Sequence, residues 1–495
     1  MTVRKKRKKR PMNKSVLFGI LLMLSLNSIQ AQSYHLSFEI PDLPNQLLRL
    51  GHHSGPDIFI VDSVWTDAQG KAIMFREKPL QHGIYFAVMP SGANFDFLIG
   101  NKQQLSIYTR QYDVLDSLKI TGDIQNKAFV DFQRQMASFS KATKQFEIEK
   151  RFYQNTPDSV AAINLKVEAI NTQRKALFDS LSVMFESSVL GDVIQAMNPH
   201  PVPDHIQTLR NSKPQKWFNY ITRHYFDHIN FSEAAVFNAP VHVFHNQLDQ
   251  FCRYFLNARA DSMHLVYDEI DVLLNKASAS ETAHRYVVSF LMKTYENPSV
   301  VGMDAVFVYI AKNYFEAGKI PWADENVVRE IKRRADLLEQ NLVGRVAVNL
   351  SFPDAAGEMH SLHDGKGRYT LLWFYEHDCA ICTEKTKELI GIYDDLQVMN
   401  IDLITINTDQ KKQAWRNYIT KHNLPCLNLW NRDRNPDLLY AYGVYKTPRF
   451  YILNNKNEIV AKDIQISQLL DYIEYLDEKS PRLRNRFLFN SPVMH

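Results

Sequence analysis

Residues 371–382 read Leu371-Leu372-Trp373-Phe374-Tyr375-Glu376-His377-Asp378-Cys379-Ala380-Ile381-Cys382. The first five form a continuous apolar run, the pattern of a central strand buried on both faces. A pair of cysteines spaced CxxC follows at once, and Thr383 to Leu396 then reads as a helix. That placement suits thiol–disulfide exchange, which needs one thiol substantially ionised near neutral pH. A helix N-terminus offers Cys379 partial positive charge and free amide donors. Two intervening residues bring Cys382 back beneath it, one turn on. Cys379 is therefore expected to be the nucleophile and Cys382 the resolving thiol.

Working outward, Gly344 to Phe352 leads through Pro353-Asp354 and Gly357 into this strand. Beyond it come a strand at Ile401 to Ile406, a helix at Gln410 to Lys421 and a strand at Arg449 to Leu453. A turn at Asn454 to Asn457, a strand at Glu458 to Ala461 and a helix at Ile466 to Asp477 complete the segment. A second marker is Lys446-Thr447-Pro448-Arg449-Phe450. Proline is tolerated at a strand's first position, where its missing donor is not needed.

Strand, CxxC, helix, strand, helix, hairpin, helix is the order of thioredoxin. The segment resembles the TlpA-like or redoxin branch of that family. Pro448 lies 66 positions after Cys382, which leaves room for the branch's inserted strand and helix. Trp415, Tyr418, Tyr440 and Tyr442-Gly443-Val444 also follow its spacing. The resemblance implies that Pro448 is cis and packs opposite the CxxC, with Thr447 beside the sulfurs and its backbone available to a substrate strand. No cofactor and no metal are expected.

The chain also departs from that pattern. Thioredoxin's tryptophan before the first cysteine is missing, and its buried carboxylate is replaced by Trp373. The glutamate that many TlpA-like proteins carry three residues after the second cysteine is Lys385 here. The base for Cys382 is thus unassigned, with Glu384 and His377 as candidates. Two rival readings of the pair stand beside the redox one: half a zinc site completed by His422 and Cys426, or two incidental cysteines. Cys252 and Cys426 are expected either to be buried thiols or to form a structural disulfide.

From Ser33 to Gly122 short strands alternate with turn formers. Tyr34, Leu36, Phe38 and Ile40 alternate with polar residues, and further runs lie at Ile58–Val61, Lys71–Phe75, Ile84–Met89, Phe95–Ile99 and Leu105–Thr109. An antiparallel sandwich or barrel is expected. It resembles an N-terminal β-domain common in exported, multidomain thioredoxin-like proteins of bacteria, in which matches to Asp62-Ser63 and Thr121-Gly122-Asp123 recur.

From Asn126 to Gln340 the period becomes helical, as in Phe129, Phe132, Met136 and Phe139, with Pro201, Pro203 and Pro214 as punctuation. His224, His228, His242 and His245 have helix-compatible spacings but no accompanying acidic motif, which favours surface or packing roles over a metal site. The expected architecture is multidomain α+β. It comprises a signal peptide at 1–31, a β-sandwich-like domain at 32–122, an all-α domain at 123–340, a C-terminal α/β thioredoxin fold at 341–480 and a tail at 481–495.

The chain has 58 Lys and Arg against 54 Asp and Glu. Eight of those cations, and no acid, fall before Gln32; without them the balance is 50 to 54, or −4. That gives no general electrostatic reason to bind nucleic acid. The basic start, the apolar run Val16 to Leu26 and the small residues ending at Ala31 read as a cleaved export signal. Periplasmic localisation is expected, with no stable transmembrane segment after cleavage. Translation from Met12 gives a more ordinary signal. Four cysteines are too few for a stapled scaffold.

The function expected is an exported thiol–disulfide oxidoreductase. Its partners would be thiol- or disulfide-containing exported proteins and an unidentified electron donor. The alternative is an envelope binding or scaffold protein with a vestigial redox domain. Ala380-Ile381 supplies no cation between the cysteines, and Glu376 and Asp378 oppose the helix N-terminus, with His377 a partial offset. A reductase-like or isomerase-like potential is therefore expected, nearer about −270 mV than about −120 mV.

Overall fold

The computed structural model describes residues 33–198, 202–432 and 435–478. The expected signal peptide, the tail and Pro201 lie outside them. Among the described residues no helix is long and apolar enough to cross a membrane. The chain divides into two compact units, one holding residues up to Ile194 with Asn238–Pro240, the other Gln195–Phe237 and everything from Val241 onward. The helical stretch is thereby shared between the units rather than standing alone.

The first unit contains β1 (Tyr34–Glu39), β2 (Leu47–Ser54), β3 (Asp57–Trp65), β4 (Lys71–Arg76), β5 (Gly83–Val88), β6 (Asn94–Ile99), β7 (Gln104–Tyr108) and β8 (Lys119–Thr121). They form two four-stranded sheets, ordered β4-β1-β7-β8 and β3-β2-β5-β6. Inward side chains of both, such as Leu36, Phe38, Leu50, Tyr85, Phe97 and Ile107, make one core. This is the sandwich the alternation predicts, with one refinement: β1 and β7 run parallel. Strand β2 escapes the sequence reading because Gly51, His52 and His53 interrupt its apolar period. Gly51 is required there, since a Cβ would collide with the Phe86 ring. Helices α1 (Ile124–Phe152) and α2 (Pro157–Met184) follow, with Phe132 and Phe178 edge to face at 5.4 Å. The buried Asn126 side chain ties α1 to β6, accepting from Leu98 N at 2.8 Å and donating to Leu98 O at 2.9 Å.

The second unit begins with helices that include α3 (Pro214–His224), α4 (His245–Phe251), α5 (Met263–Ala277), α6 (Glu281–Glu296), α7 (Asp304–Ile310) and α8 (Glu325–Glu339). Three of the four histidines have separate partners. His224 pairs with Asp227 at 2.6 Å, His228 with Gln247 at 3.0 Å and His245 with the Tyr286 hydroxyl at 2.8 Å.

The α/β part follows in the same unit: β9 (Ser351–Pro353), β10 (Met359–Ser361), β11 (Tyr369–Tyr375), α9 (Ala380–Gly391), α10 (Tyr393–Val398), β12 (Ile401–Asn407), α11 (Lys412–His422), β13 (Leu427–Trp430), α12 (Pro436–Tyr442), β14 (Arg449–Asn454), β15 (Ile459–Lys462) and α13 (Leu469–Glu478). Five strands make one sheet in the order β13-β12-β11-β14-β15. β11 pairs parallel with β12 and antiparallel with β14. Leu371 and Trp373 enter one core and Leu372 and Phe374 the other, which is why the run is apolar without alternation. All four are at most 1% exposed, and burying each is worth about 1.5–3 kcal/mol. The strand therefore anchors everything that follows it. β13 and α12 fill the interval between CxxC and Pro448.

Candidate active site

β11 ends at Tyr375, and the chain turns through Glu376, His377 and Asp378 to Cys379, the N-cap of α9. Its backbone is extended there (φ −85°, ψ 120°), and Cys379 Sγ accepts the Cys382 N–H at 3.2 Å. An orphan amide at the helix start is thus spent on the sulfur. Cys379 N donates to Glu376 O at 3.3 Å, and the Thr383 hydroxyl and amide both donate to Cys379 O, at 3.1 and 3.0 Å.

The two thiols, unbridged in this structure, differ sharply in setting. Cys379 is half-buried, flanked by the exposed Ala380 and Ile381, whereas Cys382 is fully buried. Burial pushes the Cys382 thiol up to about 12; next in size is its hydrogen bond with Cys379, which also raises it. The Thr447 hydroxyl hydrogen-bonds Cys382 and acts the other way. The Thr447–Pro448 peptide is cis, and β14 starts at Arg449. The structure thus brings Cys379, Cys382, Thr447 and Pro448 together as the resemblance implies.

The base candidates fare differently. Glu384 is exposed and stands two residues beyond the buried Cys382, on another face of α9. It is not positioned to take the Cys382 proton. His377 is half-buried at the turn before Cys379. Lys385 is occupied by Glu388, at 2.8 and 2.9 Å. Trp373 fills the place of thioredoxin's carboxylate, packed on Phe450 with ring centroids 4.6 Å apart. Cys252 and Cys426 are separate thiols, each pushed up to about 12 by burial.

Two residues near the pair escaped the sequence reading. Thr386 lies one turn below Cys382 on the buried face of α9, and its hydroxyl accepts from the buried Tyr418 at 2.9 Å. The i, i+4 spacing from Cys382 was a usable signal for Thr386. Arg449, directly after Pro448, is largely buried and pairs with Asp463 at 2.8 Å.

Residues 343–462 match the AhpC/TSA family model. The C-terminal part is therefore a thioredoxin-like oxidoreductase domain of the redoxin class. Residues 200–341 match a second family model, described as a domain of unknown function, DUF5106. A Coxiella burnetii protein named as a bcp peroxiredoxin is 31% identical over 103 residues, which span 21% of this chain and 66% of that protein, just under two thirds of its length. Among solved structures, a thioredoxin-like protein from Bacteroides caccae covers 56% of this chain and 97% of its own, at 16% identity and a TM-score of 0.41. A thiol:disulfide interchange protein from Bacteroides sp. covers 29% and 97%, at 23% identity and a TM-score of 0.27.

Proposed function

We propose that this protein is an exported, periplasmic thiol–disulfide oxidoreductase that reduces or isomerises disulfides of other exported proteins. The observation that carries the reading is the unequal pair: an accessible Cys379 capping a helix and a sealed Cys382 whose amide donates to it. In the first step the Cys379 thiolate attacks a substrate disulfide, forming a mixed disulfide and releasing one substrate thiolate. Cys382 then attacks Cys379 Sγ and releases the second substrate thiolate. The protein is left oxidised by two electrons as the Cys379–Cys382 disulfide, and a dithiol reductant resets it.

The order has a physical basis. Two influences that hold the Cys382 proton in place, the hydrogen bond and the charge of Cys379, belong to the free first thiol. Both are lost once Cys379 is tied up in the mixed disulfide. Attack by the first cysteine therefore primes the second.

Insulin reduction by the full chain with dithiothreitol tests the activity. Cys382→Ser is expected to accumulate mixed disulfides on non-reducing gels and Cys379→Ser almost none. Equal trapping by both would sink the assignment. Equilibration with thiol–disulfide buffers is expected to give a potential nearer about −270 mV than about −120 mV, and a value above roughly −150 mV would mark an oxidant instead.

A binding or scaffold role is the second reading. Its support is the apolar stretch Ile58–Val61 with Trp65, exposed on β3 at the rim of the sandwich. Wild-type protein without turnover in the insulin assay would favour it.

A further inference from the structure

The loop carrying Thr447 and Pro448 is held on both sides by the helices that precede the redoxin domain. Upstream, the Arg334 guanidinium of α8 lies over the Tyr445 ring, 5.0 Å from its centroid. Arg334 is itself fixed by Glu296 of α6 at 2.9 Å. Downstream, Arg449 pairs with Asp463, whose carboxylate also accepts the Phe450 amide at 3.3 Å. The neighbouring Lys462 is buried and ion-paired with Asp304, the first residue of α7. Its ammonium donates further to Asn341 O at 2.9 Å and Oδ1 at 2.7 Å. A path of consecutive or paired residues thus runs from Pro448 through Arg449, Asp463 and Lys462 to Asp304.

These contacts are electrostatic rather than tight packing. A cavity of about 480 Å³ lies among Asp304, Arg449, Lys462, Asp463 and Tyr472. Where side chains do not fill the space, directional charge pairs set the position of the loop. The loop lies beside the Cys382 sulfur, to which the Thr447 side chain hydrogen-bonds, and in the proposed function it is the element that receives a substrate strand.

We propose that Arg334 and Asp304 are positioning residues that hold the Thr447–Pro448 loop for protein substrates, so that the DUF5106-matching helices are a working part of the redox site. This rests on the oxidoreductase reading above. Productive docking of a peptide strand depends on the loop's placement, whereas a small aromatic disulfide needs only the Cys379 thiolate.

The test compares insulin with 5,5′-dithiobis(2-nitrobenzoate) as substrates of the full chain. Arg334→Met and Tyr445→Ala are expected to raise the KM for insulin about tenfold while changing the rate with the small disulfide less than about twofold. Tyr445→Phe, which keeps the ring, is expected to restore wild-type behaviour. Asp304→Asn strands a buried lysine and is expected to destabilise the fold, so the paired change Asp304→Leu with Lys462→Met serves on that side. It too is expected to spare the small disulfide and impair insulin. Equal losses on both substrates, or none on either, would overturn the inference while leaving wild-type turnover intact. Wild type inactive on both substrates would instead remove the oxidoreductase reading, and this inference with it.

Discussion

Strands β3 and β11 both carry unbroken apolar runs, Ile58–Val61 in one and Leu371–Tyr375 in the other, yet they end in opposite surroundings. β11 has a partner strand on each side and a core on each face. Among the described residues β3 pairs with β2 alone, at the rim of its sheet, and Ile58, Phe59, Ile60 and Val61 are 43–60% exposed. Composition therefore says that a segment is a strand, but the number of neighbours decides what its side chains contribute. The same contrast separates the two cysteines of the CxxC pair, three residues apart.

The largest effect should come from the centre. Phe374→Ala is expected to cost about 3–5 kcal/mol, read from urea unfolding followed by circular dichroism. A cost below about 1 kcal/mol would show that β11 does not anchor the domain.

The cysteine contrast is sharpened by pH. The Cys382 thiol is raised from 9.0 to about 12, and a raised thiol pKa means less thiolate at every pH below it. Iodoacetamide should therefore label Cys382 far more slowly than a thiol of ordinary pKa in the reduced native protein between about pH 7 and 9, leaving the half-buried Cys379 as the preferred site of the pair. Labelling of Cys382 should climb only as pH approaches 12 or when the protein is unfolded. Peptide mass spectrometry decides; comparable labelling of both sites at pH 8 would contradict the burial argument.

The smallest effect belongs to the rim. Phe59→Ser should shift stability by no more than about 0.5 kcal/mol in the same urea experiment. A loss comparable to that of Phe374→Ala would mean that β3 is covered in solution.

What could be read from the sequence follows the same division. β11, CxxC and Pro448 are local signals, complete within a few residues, and the resemblance built on them placed Thr447 correctly beside Cys382. Strand β2 was missed because a glycine demanded by the Phe86 ring and two histidines break its period. Glu384 looked suitable by spacing but faces away from Cys382 on α9. Arg334, Asp304, Lys462 and Arg449 come from separate elements and meet only in the fold, so no single window of sequence contains their arrangement. The N-terminal sandwich was legible as a class, whereas its parallel β1–β7 pair joins the ends of the domain and has no local signature.

The burial of Cys252 and the raised thiol of Cys426 have a consequence for traffic in sulfur. A mixed disulfide is a reactive intermediate that any neighbouring thiol of its own chain can resolve wrongly. Here Cys252 is shut within the helices, and Cys426 is held largely protonated by its surroundings. In the exchange proposed above, a disulfide arriving at Cys379 would then have Cys382 as its favoured intramolecular exit. On the proposed function, that economy of cysteines would act as proofreading, keeping scrambled isomers from forming during a cycle.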